Sequence, residues 1–191
     1  MYLYHMLYSD FNTGDFTVTK TVHNDTYPAI DPTKQNLAGK VVFISGASRG
    51  IGRATAISFA KAGASTIVLA ARSSLDVSES AVLQAAKTAG RPAPTVLKVN
   101  LEVTNVESVA SAVAQVEKAA GRLDVLINNA GVIDMASITD SDPDTWWNVW
   151  EVNVKGPYLL ARAFIPLMLR VQDSMKQVLT VARYVEPIPS R

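Results

Sequence analysis

A chain of 191 residues has room for one domain with a sizeable buried core. Its 48% hydrophobic against 18% charged residues excludes an intrinsically disordered chain, and a net charge of +1 gives no electrostatic basis for holding nucleic acid or an anionic membrane surface. The absence of cysteine excludes disulfides, cysteine-bound metal and a thiol nucleophile; no metal site is expected.

Residues 1–36 show no sustained period and are rich in Thr, Asp, Asn and Tyr, with Pro28 and Pro32 among them. They are expected to form an irregular N-terminal extension. The run Met1 to Tyr8 is apolar but lacks a basic leader, so no signal peptide is expected. His5 and His23 both fall in this extension and are expected to be solvated rather than ligating. The best candidate for a membrane span, Pro157 to Leu169, is cut by Arg162 and Pro166, and the expectation is a cytoplasmic protein.

From Lys40 onward the pattern becomes regular. An apolar run at 41–45 reads as a buried strand, followed by a helix over about 49–62 that Gly63 stops. A second strand is expected at 66–70, and a helix from about Asp76 to Ala89 with Val82, Ala85, Ala86 and Ala89 on one face. Pro92 and Pro94 lead into a third strand at 95–99. Val106, Val109, Ala110, Val113 and Ala120 then recur at helical spacing up to Gly121, and 124–128 reads as a fourth strand. A loop around 134–142 precedes a long helix, capped by Asp144 or a neighbour, that runs to about Arg170 and is bent or interrupted by Pro157 and Pro166. Its tryptophans, Trp146, Trp147 and Trp150, are expected to pack. A fifth strand is expected at 177–181, and the last ten residues, with two further prolines, promise no helix. Strand and helix alternating at short range argue for an α/β fold, a doubly wound parallel sheet of about five strands with helices on both faces. The domain is expected over 37–181, with 182–191 as an irregular tail.

The first strand, the small-residue loop with Gly46, Gly50 and Gly52, and the helix after it form the opening of a dinucleotide-binding unit. In such a unit one glycine turns the chain tightly, one lets the backbone approach a pyrophosphate and one allows close helix–strand packing. The helix N-terminus offers N–H groups and a partial positive charge to the anion. Asn128-Asn129-Ala130-Gly131 stands at the carboxyl end of the fourth strand, where open α/β sheets bind ligands. Its small residues let a flat ring lie against the backbone, and its amides can tie adjacent strands together.

The second strand ends at Arg72-Ser73, and Arg72 stands 20 residues after Gly52, the distance at which such units place the reader of the ribose. An acidic residue there would accept from a 2′-hydroxyl. A guanidinium suits a 2′-phosphate, and Arg49 in the glycine loop adds a second cation. The expected cofactor is NADP(H) in preference to NAD(H), with Arg72 as a solvated loop residue the plain alternative.

Ser45-Gly46-Ala47-Ser48-Arg49-Gly50-Ile51-Gly52 resembles the TGxxxGxG motif of the short-chain dehydrogenase/reductase family, with Ser for Thr, and Asn128 to Gly131 matches its NNAG signature. The resemblance covers about residues 37–181 and implies a Rossmann-like fold and hydride transfer between a nicotinamide dinucleotide and a carbonyl or alcohol. It implies that Glu102-Val103 lies where relatives place an Asp-Val pair beside the adenine, and that Asn153 is the active-site asparagine. Lys155 is not the family's catalytic lysine. The family's serine after the fifth strand and its Tyr-x-x-x-Lys pair have no counterpart: Ala182-Arg183 follow the strand, and Tyr184 has Ile188 four places on.

A shortened NADP(H)-dependent oxidoreductase with weak or no activity of its own is therefore expected. The alternative is a non-catalytic dinucleotide-binding protein or a partner subunit of a complete relative. Loss of the family's next helix is expected to expose apolar surface on Tyr158 to Leu169 and the fifth strand, open to a homo- or hetero-oligomeric contact. The substrate, an unspecified small carbonyl or alcohol, is not legible.

Overall fold

A computed structural model describes residues 26–171 and 176–181; His5, His23 and Tyr184 lie outside the described residues. The chain divides into two units, 1–31 and 32–191, and the second contains the sheet. Five apolar runs form strands: β1 (Val41–Ser45), β2 (Thr66–Ala71), β3 (Thr95–Asn100), β4 (Val125–Asn128) and β5 (Gln177–Thr180). They pair in the order β3-β2-β1-β4-β5, every pair parallel. Parallel neighbours need crossovers, and the helices supply them: α1 (Gly50–Lys61), α2 (Asp76–Thr88), α3 (Val106–Ala120), α4 (Pro143–Trp150) and α5 (Gly156–Met168).

Successive strand residues point to opposite faces, so a continuous apolar strand feeds two cores. Val42, Ile44, Ile67 and Leu69 meet Ala56 and Ala60 of α1 and Val82 and Ala86 of α2. On the other face, Val41, Phe43, Val68 and Leu126 meet Val109 and Val116 of α3 and Leu160 and Phe164 of α5, with the Phe43 and Phe164 rings 4.6 Å apart. This is the doubly wound parallel sheet with helices on both faces that the alternation predicts.

The amino ends of the strands are held by one buried carboxylate. Asp124 accepts from the Val41 amide at 2.9 Å and pairs with Arg122 at 2.6 Å and Lys176 at 3.0 Å, with Lys40 at 3.9 Å. It therefore joins β1, β4 and the approach to β5.

The segment from 143 to 168 follows the expectation in its cap and in its break before Pro157, and departs from it in its tryptophans. Asp142 is the capping residue, its Oδ2 accepting from the Thr145 amide at 2.8 Å, with Pro143 in the first turn. The helix is interrupted on the turn that immediately precedes Pro157, as the proline predicts, by a π turn over Glu151–Lys155. In a regular helix Pro157 would have no N–H to donate and would crowd the Asn153 carbonyl four residues back, inside the π turn, while Pro166 lies inside α5 two residues from its end. The tryptophans do not pack into the core: Trp146, Trp147 and Trp150 are 40%, 58% and 48% exposed. α4 buries none of its residues, so these rings cover one another instead, at 6.2 Å and 5.7 Å between centroids. Among the described residues, no helix is long and apolar enough to cross a membrane.

Candidate functional site

The chain leaves β1 toward β2 and β3, then returns to place β4 on the other side of β1. At such a reversal the two loops at the carboxyl ends of β1 and β4 diverge and open a crevice. Ser45, the last residue of β1, locks the two loops together. Its Oγ accepts from the Asn129 and Ala130 amides, each at 3.0 Å, and donates to the Ile127 carbonyl at 3.3 Å. The Asn129 side chain returns the contact, Nδ2 donating to the carbonyls of Ser45 at 2.9 Å and Gly46 at 3.2 Å.

That closeness dictates the glycines. A Cβ on Gly52 would stand 2.3 Å from the Gly46 carbonyl oxygen and 2.6 Å from Asn129 Nδ2. One on Gly46, already at φ +67°, would stand 2.9 Å from the Ala130 backbone. Gly50 is different: its φ is +54° and the space beside it is open. It begins α1, whose N-cap, Arg49, is extended and provides no side-chain cap to the first turn. A helix N-terminus without such a cap offers its amides to an outside acceptor.

Two residues not singled out in the sequence hold this loop from behind. The Arg53 guanidinium donates to the Ser48 carbonyl and, through Nε, to Ser78 Oγ at 3.0 Å; the fully buried Ser78 hydroxyl donates to the Ala47 carbonyl at 2.8 Å. A serine among the apolar positions of the second helix was the available signal for Ser78.

The crevice has a volume of about 620 Å³. Gly46, Ser48, Arg49 and Ile51 form one wall, and the strand ends add Arg72 and Ser73 just after β2 and Glu102 and Val103 after β3. Asn129, Ala130 and Gly131 close the far side, together with Val132 and Val152. Most of the residues expected to bind cofactor are thus brought to one cleft.

Ser45, Gly50, Gly52 and Asn128 are not in its lining. Ser45, Gly52 and Asn128 are buried behind it, Asn128 with its Nδ2 3.5 Å from Thr180 Oγ1 on β5 and its Oδ1 buried without a partner among the described residues. Asn153 sits in the π turn and reaches the same loop from outside: its Nδ2 donates to the Val132 carbonyl at 2.8 Å, and its Oδ1 accepts from the Val132 amide at 3.0 Å. Both polar atoms of its side chain are engaged in clamping that loop. Arg72 Nη1 lies 3.2 Å from Glu102 Oε2, so the cation at the cleft mouth already has an anionic neighbour.

Residues 40–182 match the family model described as short chain dehydrogenase. The chain belongs to that family. The chain is 54% identical over 159 residues to the short chain dehydrogenase citE of Monascus ruber, a match that covers 83% of this chain and 54% of that protein. It is 49% identical over 174 residues to pigC of the same organism, covering 90% of this chain and 57% of the relative. The chain therefore spans about half the length of these curated relatives. Among solved structures, a metagenomic short-chain oxidoreductase in complex with NADP is 32% identical, with a TM-score of 0.66 over 80% of this chain and 66% of that one. An alcohol dehydrogenase from the archaeon Thermococcus sibiricus, complexed with 5-hydroxy-NADP, is 31% identical, with a TM-score of 0.59 over 67% of this chain and 52% of that one.

Proposed function

We propose that this chain, with its domain at 37–181, forms the cofactor-binding part of an NADP(H)-dependent oxidoreductase that acts on a carbonyl or alcohol. The observation that carries the cofactor preference is Arg72, a guanidinium at the end of β2 in the wall of the cleft, where an NAD-type site would carry a carboxylate. The short-chain oxidoreductase solved with NADP and the archaeal dehydrogenase solved with 5-hydroxy-NADP support the same reading.

The residues present fit such a group. The uncapped start of α1 and the open, positive-φ Gly50 offer a cradle to a pyrophosphate, and Ile51 lines the cleft beside them. Arg72, Ser73 and Arg49 would hold the ribose end, Glu102 and Val103 would flank the adenine, and Asn129 to Gly131 would back the nicotinamide half. When bound, NADP(H) supplies or accepts a hydride at nicotinamide C4. The chain's own residues bind and orient. Ser45 and Asn128 fix the floor from below, and Asn153 fixes the edge of the pocket nearest the reacting end.

The 191-residue sequence holds no Tyr-x-x-x-Lys, and weak or absent turnover by this chain alone is part of the proposal. A positioned general acid typically contributes about 10² to 10⁴ in rate. Tyr158, Leu169 and Val178, exposed at 60%, 67% and 44%, suit a further protein contact at α5 and β5.

A fluorescence titration tests the cofactor reading. NADPH is expected to bind about tenfold more tightly than NADH, as one charge-assisted contact would give. Equal or tighter binding of NADH contradicts it. Addition of ketones and aldehydes to the NADPH complex is expected to give feeble oxidation, and robust turnover would contradict that part of the proposal.

A further inference from the structure

The guanidinium of Arg72, the proposed phosphate ligand, already has a partner. Nη1 donates to Glu102 Oε2 at 3.2 Å, across the carboxyl ends of β2 and β3. The carboxylate is anchored on its other side: Oε1 accepts from the Thr104 amide at 3.3 Å and from the Thr104 hydroxyl at 3.1 Å. The Glu102 amide in turn donates to Ser108 Oγ at 2.9 Å, in the first turn of α3. The Glu102 backbone is thus fixed to the first turn of α3 and its carboxylate to Thr104 in the loop before it. The Arg72 side chain is 69% exposed and free to swing about that anchor. Both residues line the cleft.

We infer that Glu102 is a specificity-determining residue: its carboxylate competes with the 2′-phosphate of the dinucleotide for Arg72. The inference rests on the NADP(H) reading of the cleft. A nucleotide with a free 2′-hydroxyl leaves the Arg72–Glu102 pair intact, and the hydroxyl can donate to the same carboxylate. A nucleotide with a 2′-phosphate must draw the guanidinium away from Glu102 or share it, with two anions then facing one cation. The anchored carboxylate cannot follow Arg72 and cannot withdraw. It weakens binding of the phosphorylated cofactor selectively. An ion pair this exposed is a weak restraint, so the competition narrows the preference for NADPH without reversing it.

The test is a double-mutant cycle on the full chain, with NADPH and NADH titrated by fluorescence into wild type, Glu102→Gln, Arg72→Met and the double variant. Glu102→Gln keeps the side chain's size and an acceptor for Thr104. It is expected to tighten NADPH about three- to tenfold, as relief of a screened charge contact would, and not to tighten NADH, whose 2′-hydroxyl loses a charged acceptor. In the Arg72→Met background the same change is expected to alter NADPH binding by less than about twofold, because the contested cation is gone. Glu102→Ala, read in parallel with circular dichroism, provides a second removal of the charge should the glutamine variant misfold.

If Arg72→Met weakens NADPH binding while neither Glu102 variant changes the NADPH-to-NADH ratio, the competition is overturned and the cofactor reading stands. If Glu102→Gln tightens NADPH equally with and without Arg72, Glu102 repels the phosphate directly and the competition is overturned. If Arg72→Met leaves NADPH binding unchanged, or wild type binds neither nucleotide, the cofactor reading fails and the inference falls with it.

Discussion

Ser45 uses one hydroxyl three times, accepting from two amides of the β4 loop and donating to a carbonyl of β4. Because the residue is 1% exposed, water cannot replace it. Ser45→Ala should leave the Asn129 and Ala130 amides unsatisfied, at a cost of about 1–3 kcal/mol for each group that finds no substitute. Urea unfolding should show the loss, and Ser45→Thr, which keeps the hydroxyl, should recover most of it. At this scale the glycine loop and the Asn128 to Gly131 signature were legible because each needs residue types that tolerate little substitution. The clash a Cβ would make at Gly52, 2.3 Å from a carbonyl oxygen, is the physical content of that motif. The contacts of Arg53 and Ser78 were not legible: a serine on the apolar face of the second helix marks Ser78 as inward-facing, but only the packed loop brings it to Arg53 and Ala47. The pairing of Arg72 with Glu102 was hidden for the same reason: the two are 30 residues apart and meet only when β2 and β3 align.

Among the elements, α4 and the π turn decide how the loop after β4 is held. The strands, the first three helices and their glycine stops follow from apolar periodicity, which is strong wherever a helix has one buried face. That signal failed at 143–155. Trp146 and Trp150 stand four apart and read as a core stripe, but α4 turns that face to solvent and buries nothing. The break lies on the turn before Pro157, where a proline removes a helical hydrogen bond, but nothing in the composition marks the adjustment as a π turn. The start of α4 has a pH signature. The Thr145 amide, and after it the Thr145 hydroxyl, hold the Asp142 carboxyl below its ordinary value of 3.8. A depressed carboxylate stabilises the fold fully above its unfolded value, and this contribution is lost as pH falls through the lowered folded value. Thermal melts should show Asp142→Ala less stable than wild type at neutral pH, with the gap closing below about pH 3–4. Asp142→Asn, which caps without titrating, should retain its advantage over alanine at acid pH.

For the molecule as a whole, the sheet order sets where the cleft opens, and its amino end depends on one charge. Alternating elements predicted the doubly wound sheet because the strands β1, β2 and β4 are too apolar for a one-sided sheet and each intervening segment is helical. They did not predict that a fully buried Asp124 would gather Arg122, Lys176 and Lys40 at the opposite end from the cleft. Asp124→Ala leaves those cations facing a buried void and frees the Val41 amide. A loss of about 3–5 kcal/mol in chemical denaturation is expected, with no change in the NADPH-to-NADH ratio of whatever protein remains folded.

The most direct test of the account is a crystal structure of this chain grown with NADP⁺. The dinucleotide is expected in the cleft between the β1 and β4 loops, its pyrophosphate against the first turn of α1 and its 2′-phosphate within hydrogen-bond reach of Arg72. A nucleotide bound elsewhere, or seated in the cleft with its 2′-phosphate turned away from Arg72, would contradict it.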